Sequence, residues 1–139
     1  MYIPPAFRDD DIKSVHAAMR AARLAQLVTA TADGLIATPL PLFLDAAEGP
    51  YGVLYGHLAR GNPQWRSSPS GDAMVLFMGP DAYVSPSWYQ TKRETGKVVP
   101  TWDYTAVHAY GSVEFFSDPE RLLASVTRLT DIHEAPRTS

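Results

Sequence analysis

A ten-residue segment of the chain, GHLARGNPQW at positions 56–65, combines residue types that bind anions. Arg60 carries a guanidinium fork that matches the geometry of phosphate oxygens, and His57 can donate one or two hydrogen bonds. Asn62 and Pro63 are typical of an N-cap and a first helical residue, so a short helix should begin here with its positive dipole end close by. These features predict a site for a phosphate monoester. The alternative is a turn with a capped helix and a solvated arginine.

Two aromatic-rich segments lie further along the chain, GPDAYVSPSWYQTK at positions 79–92 and GKVVPTWDYTAVHAYG at positions 96–111. Between them they contain Tyr83, Trp88, Tyr89, Trp102, Tyr104, His108 and Tyr110. Aromatic side chains on strands most often pack in a core or on a sheet surface. The alternative is that they face a planar ligand or a partner subunit.

Other kinds of chemical site have weak support in the sequence. The histidines are widely separated and show neither HxH nor HxxxH spacing, so we predict no metal site. They are His16, His57, His108 and His133. The chain has no cysteine, which excludes disulfides and thiolate catalysis. It also lacks the GxGxxG and GxxxxGKS/T loops of nucleotide sites and the GxSxG elbow of hydrolases.

The composition is that of a globular protein, with 45% hydrophobic and 19% charged residues. The net charge of −3 argues against strong non-specific binding to nucleic acid, which requires cationic groups that neutralise phosphates. The N-terminal sequence has neither the basic nor the apolar region of a secretory signal, and no apolar run approaches the length of a membrane span. We therefore expect a cytoplasmic protein with no membrane partner.

The elements that position these segments are mostly strands. Strands are predicted at 24–31, 35–45, 51–57, 73–79, 81–89 and 98–116, with a polar loop at 90–97. Pro39 and Pro41 should place the second strand at a sheet edge, because proline cannot donate to a ladder. A first helix should run from a cap at Asp9 or Asp10 to about Leu24, and Ser117 or Asp118 should cap a last one. This order predicts a mainly β barrel or curled sheet with peripheral helices.

Four segments in this order resemble the FMN-binding negative transcriptional regulators of the PaiB family. They are MYIPPAF at the N-terminus, LYGHLARGNPQW, and the two aromatic-rich segments. The resemblance runs from Met1 to about Glu134 and implies a single FMN-binding split-barrel domain over residues 1–139, related to pyridoxamine-phosphate oxidases and flavin reductases. Members of the family commonly continue past the LTDIHE segment, so we expect that residues 1–139 lack a C-terminal helical extension.

The resemblance also implies where a cofactor binds. In this fold two subunits pair, and FMN lies in a groove at the dimer interface. The residues that resemble the phosphate-facing segment are His57, Arg60 and Asn62, with Trp65 packed behind them. Residues 98–104 resemble a segment that approaches the flavin and that can come from the partner subunit. Its candidate residues are Val98, Pro100, Thr101, Trp102 and Tyr104.

The function implied by the resemblance is that of a homodimeric negative transcriptional regulator or flavin-linked sensor. DNA is a partner by family resemblance, but neither the charge nor a helix-turn-helix pattern supports direct binding. An FMN-dependent oxidoreductase or flavin reductase is the first alternative, because the flavin itself carries that chemistry. A haem-binding split barrel is the second alternative, and it would need His57 or His108 to ligate iron.

Overall fold

The computed structural model describes residues 1–135, which contain six strands and three α-helices. The strands are β1 (Ala25–Thr31), β2 (Gly34–Leu40), β3 (Leu42–Asp45), β4 (Val53–Gly56), β5 (Ala73–Val84) and β6 (Thr101–Gly111). The helices are α1 (Ile12–Ala21), α2 (Gln90–Thr95) and α3 (Pro119–Glu134), with short 3-10 helices at Pro5–Phe7, Pro63–Arg66 and Pro86–Trp88. The predicted mainly β class with peripheral helices is confirmed. The single domain over residues 1–139 stays a prediction, and its last four residues lie outside the described part of the chain.

The six strands form two antiparallel sheets. The larger sheet has the order β2-β1-β5-β6, and β3 pairs with β4 in a separate sheet. Pro39 lies on the edge strand β2, opposite Gln26, which confirms the predicted edge position. The prediction of one continuous strand over residues 35–45 is wrong, because the chain breaks at Pro41 and passes from the larger sheet to the smaller one.

Strands β5 and β6 form a ribbon that extends beyond the rest of the larger sheet. Strand β1 pairs with β5 only as far as Phe77, whereas β6 pairs with β5 as far as Val84. The prediction of two separate strands here is wrong, because a bulge after Met78 lets one strand continue through Gly79. A Cβ added at Gly79 would lie 3.1 Å from the Cβ of Thr105, so a larger residue here would require Thr105 on β6 to shift by a few tenths of an ångström.

The two longer helices have side-chain caps at their N-termini. Asp11, which lies one or two residues beyond the predicted cap, accepts a hydrogen bond from the Ser14 N–H at 3.1 Å, and α1 ends at Ala21. Asp118, one of the two predicted caps, accepts from the Arg121 N–H at 2.9 Å at the start of α3. Among the described residues, no helix has the length and apolar content that crossing a bilayer would need.

Two elements near the ribbon differ from the prediction. The segment 90–97, predicted as a loop, contains α2, which ends at Gly96 in the left-handed conformation with φ 69°. The predicted strand 98–116 is shorter, since β6 covers only Thr101–Gly111 and residues 112–118 have no regular structure. The polar residues of 90–97 favoured a loop, and the apolar residues after Gly111 favoured a strand. Neither local pattern determines whether a segment forms a helix or pairs with a neighbouring strand.

The buried core is small for a chain of this length. It lies between α1 and the larger sheet and consists of Met19, Ala25, Leu27, Leu40, Ala73, Val75 and Phe77. The chain exposes 10312 Å² of surface. A folded monomer of this mass is expected to expose roughly 7,100 Å². The large excess includes many apolar side chains on the ribbon, so the fold leaves an extensive surface for something else to cover.

Candidate functional site

A groove of about 1290 Å³ opens between α1, the two sheets and the start of α3. Besides core side chains, its lining includes His16, Tyr51, Arg60, Trp65, His108 and Tyr110. The Nε2 atom of His16 lies 2.9 Å from the carbonyl oxygen of Tyr51. The Nδ1 atom of His108 is buried and has no hydrogen-bond partner among residues 1–135. In the same part of the chain, no group of three His, Asp or Glu side chains could hold a metal ion.

The segment 57–66, called here the 57–66 turn, leads from β4 along this groove and is held by Asn62. The Oδ1 atom of Asn62 accepts from the Gln64 N–H at 2.9 Å, which confirms the predicted N-cap. Its Nδ2 atom donates to the Oγ1 atom of Thr38 at 2.9 Å. Because both ends of the amide are occupied, Asn62 ties the turn to β2 and has little capacity left for a ligand.

The short helix Pro63–Arg66 supplies fewer free donors than the sequence predicts. Pro63 has no N–H, and the N–H of Gln64 is already bonded to Asn62. A helix of four residues also has only a small dipole, because that dipole is the sum over its aligned peptide units. An anion at this turn would therefore depend on side chains rather than on the helix N-terminus.

The two candidate side chains predicted at the start of the turn, Arg60 and His57, are available to an anion. The Arg60 and His57 side chains are exposed, and within residues 1–135 neither takes part in a hydrogen bond or an ion pair. The carbonyl of Arg60 accepts from the Nε1–H of Trp65 at 3.1 Å, which folds the turn back on itself. The guanidinium of Arg66 lies 4.8 Å from the centroid of the Trp65 ring. Of the two candidates, Arg60 lines the groove and His57 does not. A guanidinium suits the phosphate group of a nucleotide such as FMN.

Gln64 is a residue of the turn that sequence reasoning missed. Its side chain is completely buried, with 0% exposed. Its Nε2 atom lies 3.2 Å from the carbonyl oxygen of Leu27, 3.0 Å from Oγ1 of Thr29 and 3.2 Å from the carbonyl oxygen of Ile36. These partners lie 28 to 37 residues away along the chain. No local pattern could have identified this residue, because its burial depends on those distant strands.

The remaining predicted site residues lie on the outer half of the ribbon and just before it. They are Val98, Pro100, Thr101, Trp102 and Tyr104. Trp102 and Tyr104 are each 57% exposed. The Nε1–H of Trp102 donates to Oδ1 of Asp81 at 2.9 Å, and its ring centroid lies 5.9 Å from that of Tyr83. The ribbon therefore presents exposed aromatic side chains to its surroundings, with the Tyr83 and Trp102 rings tilted by 52°.

Within one chain, the structure does not bring the ribbon residues to the 57–66 turn. The turn is bonded to Leu27, which pairs with Val75, and Val75 pairs with Ala109 on β6. The seven-residue step from Ala109 back to Trp102 spans about 23 Å of strand. The predicted site residues thus form two separate clusters, one beside the groove and one on the ribbon.

The whole chain, residues 1–139, matches the family described as "Putative FMN-binding domain". The chain belongs to this family. It is 36% identical over 138 residues to the "Protease synthase and sporulation protein PAI 2" of Bacillus subtilis, an alignment that covers 99% of this chain and 63% of that protein. The resemblance inferred from the four segments is therefore confirmed.

Similar proteins of this family also occur in fungi. An uncharacterized protein of Saccharomyces cerevisiae is 36% identical over 107 residues, which cover 75% of this chain and 63% of that protein. An uncharacterized protein of Emericella nidulans is 34% identical over 143 residues, which cover 77% of this chain and 57% of that protein. The chain thus spans less than two thirds of the length of these relatives.

Proposed function

We propose that this chain binds FMN in a homodimer and forms the FMN-binding part of a regulator. The observation that carries the proposal is the Arg60 guanidinium, which has no ion-pair or hydrogen-bond partner within residues 1–135 and is held on an anchored turn beside a groove. The family description, "Putative FMN-binding domain", indicates FMN as the phosphate-bearing ligand. The family description names FMN and not haem, so the haem alternative lacks comparable support.

Arg60 and His57 are the groups that would hold the phosphate. Arg60 can donate two parallel hydrogen bonds to phosphate oxygens, and His57 can donate a further one. Asn62 was a candidate for phosphate binding, but both ends of its amide are bonded within the protein. We therefore assign it the role of positioning the turn. Trp65 holds the Arg60 carbonyl and separates the phosphate end from the apolar wall of the groove.

The separation of the two clusters supports the proposed homodimer. About 23 Å of strand lies between Trp102 and the level of the 57–66 turn, which is too far for both clusters of one chain to contact one flavin ring system and its phosphate closely. A second copy could bring its ribbon to the turn of the first. The excess exposed surface also exceeds the roughly 800 Å² that each partner buries in a stable interface.

The regulatory part of the proposal rests on the relative in Bacillus subtilis, whose name refers to protease synthase and sporulation. A bound flavin would supply redox chemistry. The residues of this chain then need only bind the phosphate and shield the ring system. Since the net charge is −3, we propose that any effect on transcription is indirect, through a partner or a flavin-linked reaction.

The test is an absorption spectrum of the purified protein followed by titration with FMN and with riboflavin. Flavin bands and a preference for FMN of at least about tenfold are expected, since losing a charge-assisted contact costs about 1.5–3 kcal/mol. Equal affinity for the two ligands would contradict the phosphate assignment. A Soret band would instead favour haem, and rapid bleaching of the flavin by NADH or NADPH would favour an oxidoreductase.

A further inference from the structure

The buried amide of Gln64 joins the 57–66 turn to two strands of the larger sheet. Its Nε2 atom faces oxygen atoms of Leu27 and Thr29 on β1 and of Ile36 on β2, all within 3.2 Å. A leucine would fill similar space without burying a polar group. The Oε1 atom is buried without a hydrogen-bond partner among residues 1–135, so the Nε2 contacts alone tie the amide to the strands. They also give it direction, because turning it over would place Oε1 against the same oxygen atoms.

Gln64 also takes part in the hydrogen bonds within the turn. The main-chain N–H of Gln64 is bonded to Asn62, and its carbonyl accepts from the Ser67 N–H at 3.3 Å. The next residue, Trp65, binds the carbonyl of Arg60. A shift of the Gln64 side chain would therefore move Asn62 and Trp65, and through the Trp65 hydrogen bond it would also move the backbone of Arg60.

We infer that Gln64 is a positioning residue, whose buried amide holds the 57–66 turn against β1 and β2 and so sets where Arg60 meets a phosphate. The inference rests on the proposed function for the identity of that phosphate. Gln64 contacts no ligand itself, because its side chain has no exposed surface. Its effect on binding passes through the side chains that the turn carries, Arg60 above all, and this makes its role measurable as a loss of discrimination between FMN and riboflavin.

The main experiment compares the wild-type chain with Gln64→Leu. Amide hydrogen exchange in residues 60–67 should become at least about tenfold faster than in the wild type, while exchange in β5 changes much less. FMN affinity should fall at least about fivefold while riboflavin affinity stays within about twofold. The matched control is Phe77→Leu, a core change on β5 at a side chain only 3% exposed, which should lower thermal stability yet leave the ligand preference unchanged.

Two smaller changes at Thr29 provide the same test if Gln64→Leu does not fold. Thr29→Val keeps the shape of the side chain but removes the oxygen that faces Gln64, whereas Thr29→Ser keeps that oxygen. Faster exchange in the turn and a reduced FMN preference are expected for the valine variant and not for the serine variant. The same behaviour in both variants, or an unchanged exchange rate and preference in Gln64→Leu, would overturn the inference.

The two readouts separate this inference from the proposed function. If the wild-type chain binds FMN and riboflavin equally, the phosphate assignment fails, and the exchange rates alone decide whether Gln64 anchors the turn. If the wild type prefers FMN and Gln64→Leu keeps the full preference despite a loosened turn, Gln64 is a structural residue and the positioning role is wrong.

Discussion

Replacing Arg60 tests the phosphate site most directly, because this side chain can be removed without disturbing the turn that carries it. The turn is held through the Arg60 carbonyl and through the side chains of Asn62 and Gln64. None of these contacts uses the guanidinium. Arg60→Ala and Arg60→Lys should therefore keep the fold, with a change in the free energy of unfolding within about 0.5 kcal/mol.

The expected loss of affinity can be worked from the exposure of the side chain. A charge-assisted hydrogen bond contributes about 1.5–3 kcal/mol, which corresponds to roughly 10- to 150-fold in affinity. Arg60 is exposed, so solvent screening favours the lower part of that range. We expect FMN affinity to fall roughly 10- to 30-fold in Arg60→Ala and about threefold in Arg60→Lys, which keeps the charge but loses the fork.

The assay is a pair of fluorescence titrations, with FMN and with riboflavin, on the wild type and the two variants. Riboflavin affinity should barely change, because it lacks the phosphate. The control is Arg128→Ala, which removes the same charge from an exposed position of α3. An equal loss for both ligands would mean that Arg60 shapes the groove, and no loss for either would leave it as a solvated arginine.

Three further changes test other parts of the site. Asn62→Ala should lower the free energy of unfolding by about 0.5–2 kcal/mol in denaturant titrations, because the cap and the bond to Thr38 are lost, while Asn62→Asp should lose less. Trp102→Ala should weaken the homodimer at least about tenfold in sedimentation without unfolding the chain, and an unchanged dimer would exclude the ribbon from the interface. A hydrogen bond to the Glu48 carboxylate at 2.5 Å raises the pKa of Tyr55, so Glu48→Gln should lower that pKa in an alkaline absorbance titration. No decrease there would mean that the contact does not persist in solution.

Features of the fold that depend on local chemistry could be predicted from the sequence. Asn62 before Pro63 predicted a capped short helix, and Pro39 predicted an edge strand, because each follows from what one backbone or side chain can donate. The break at Pro41 and the bulge at Gly79 depend instead on which strand lies alongside. The strands that pair are distant along the chain, and local sequence patterns do not identify which strands pair with each other.

The candidate site shows the same division. Arg60 and His57 could be predicted as candidates because their side chains can donate hydrogen bonds to phosphate oxygens. Gln64 could not, because an amide becomes a buried anchor only when strands from elsewhere in the chain supply its acceptors. The opposite error affected the short helix, whose first N–H is missing at Pro63 and whose second, at Gln64, is bonded to Asn62.

The two clusters also differ in how firmly the chain holds them, and this bears on how a ligand could act as a signal. The 57–66 turn is anchored by a buried amide, whereas Trp102 and Tyr104 on the ribbon are each more than half exposed. If one FMN contacts the turn of one copy and the ribbon of another, it binds the dimer better than the monomer. By linkage, FMN must then strengthen the dimer by the same factor by which dimerisation strengthens FMN binding. Flavin occupancy would thus be converted into the oligomeric state of the protein with no rearrangement of the core, because the turn is already in place and only the ribbon gains a partner.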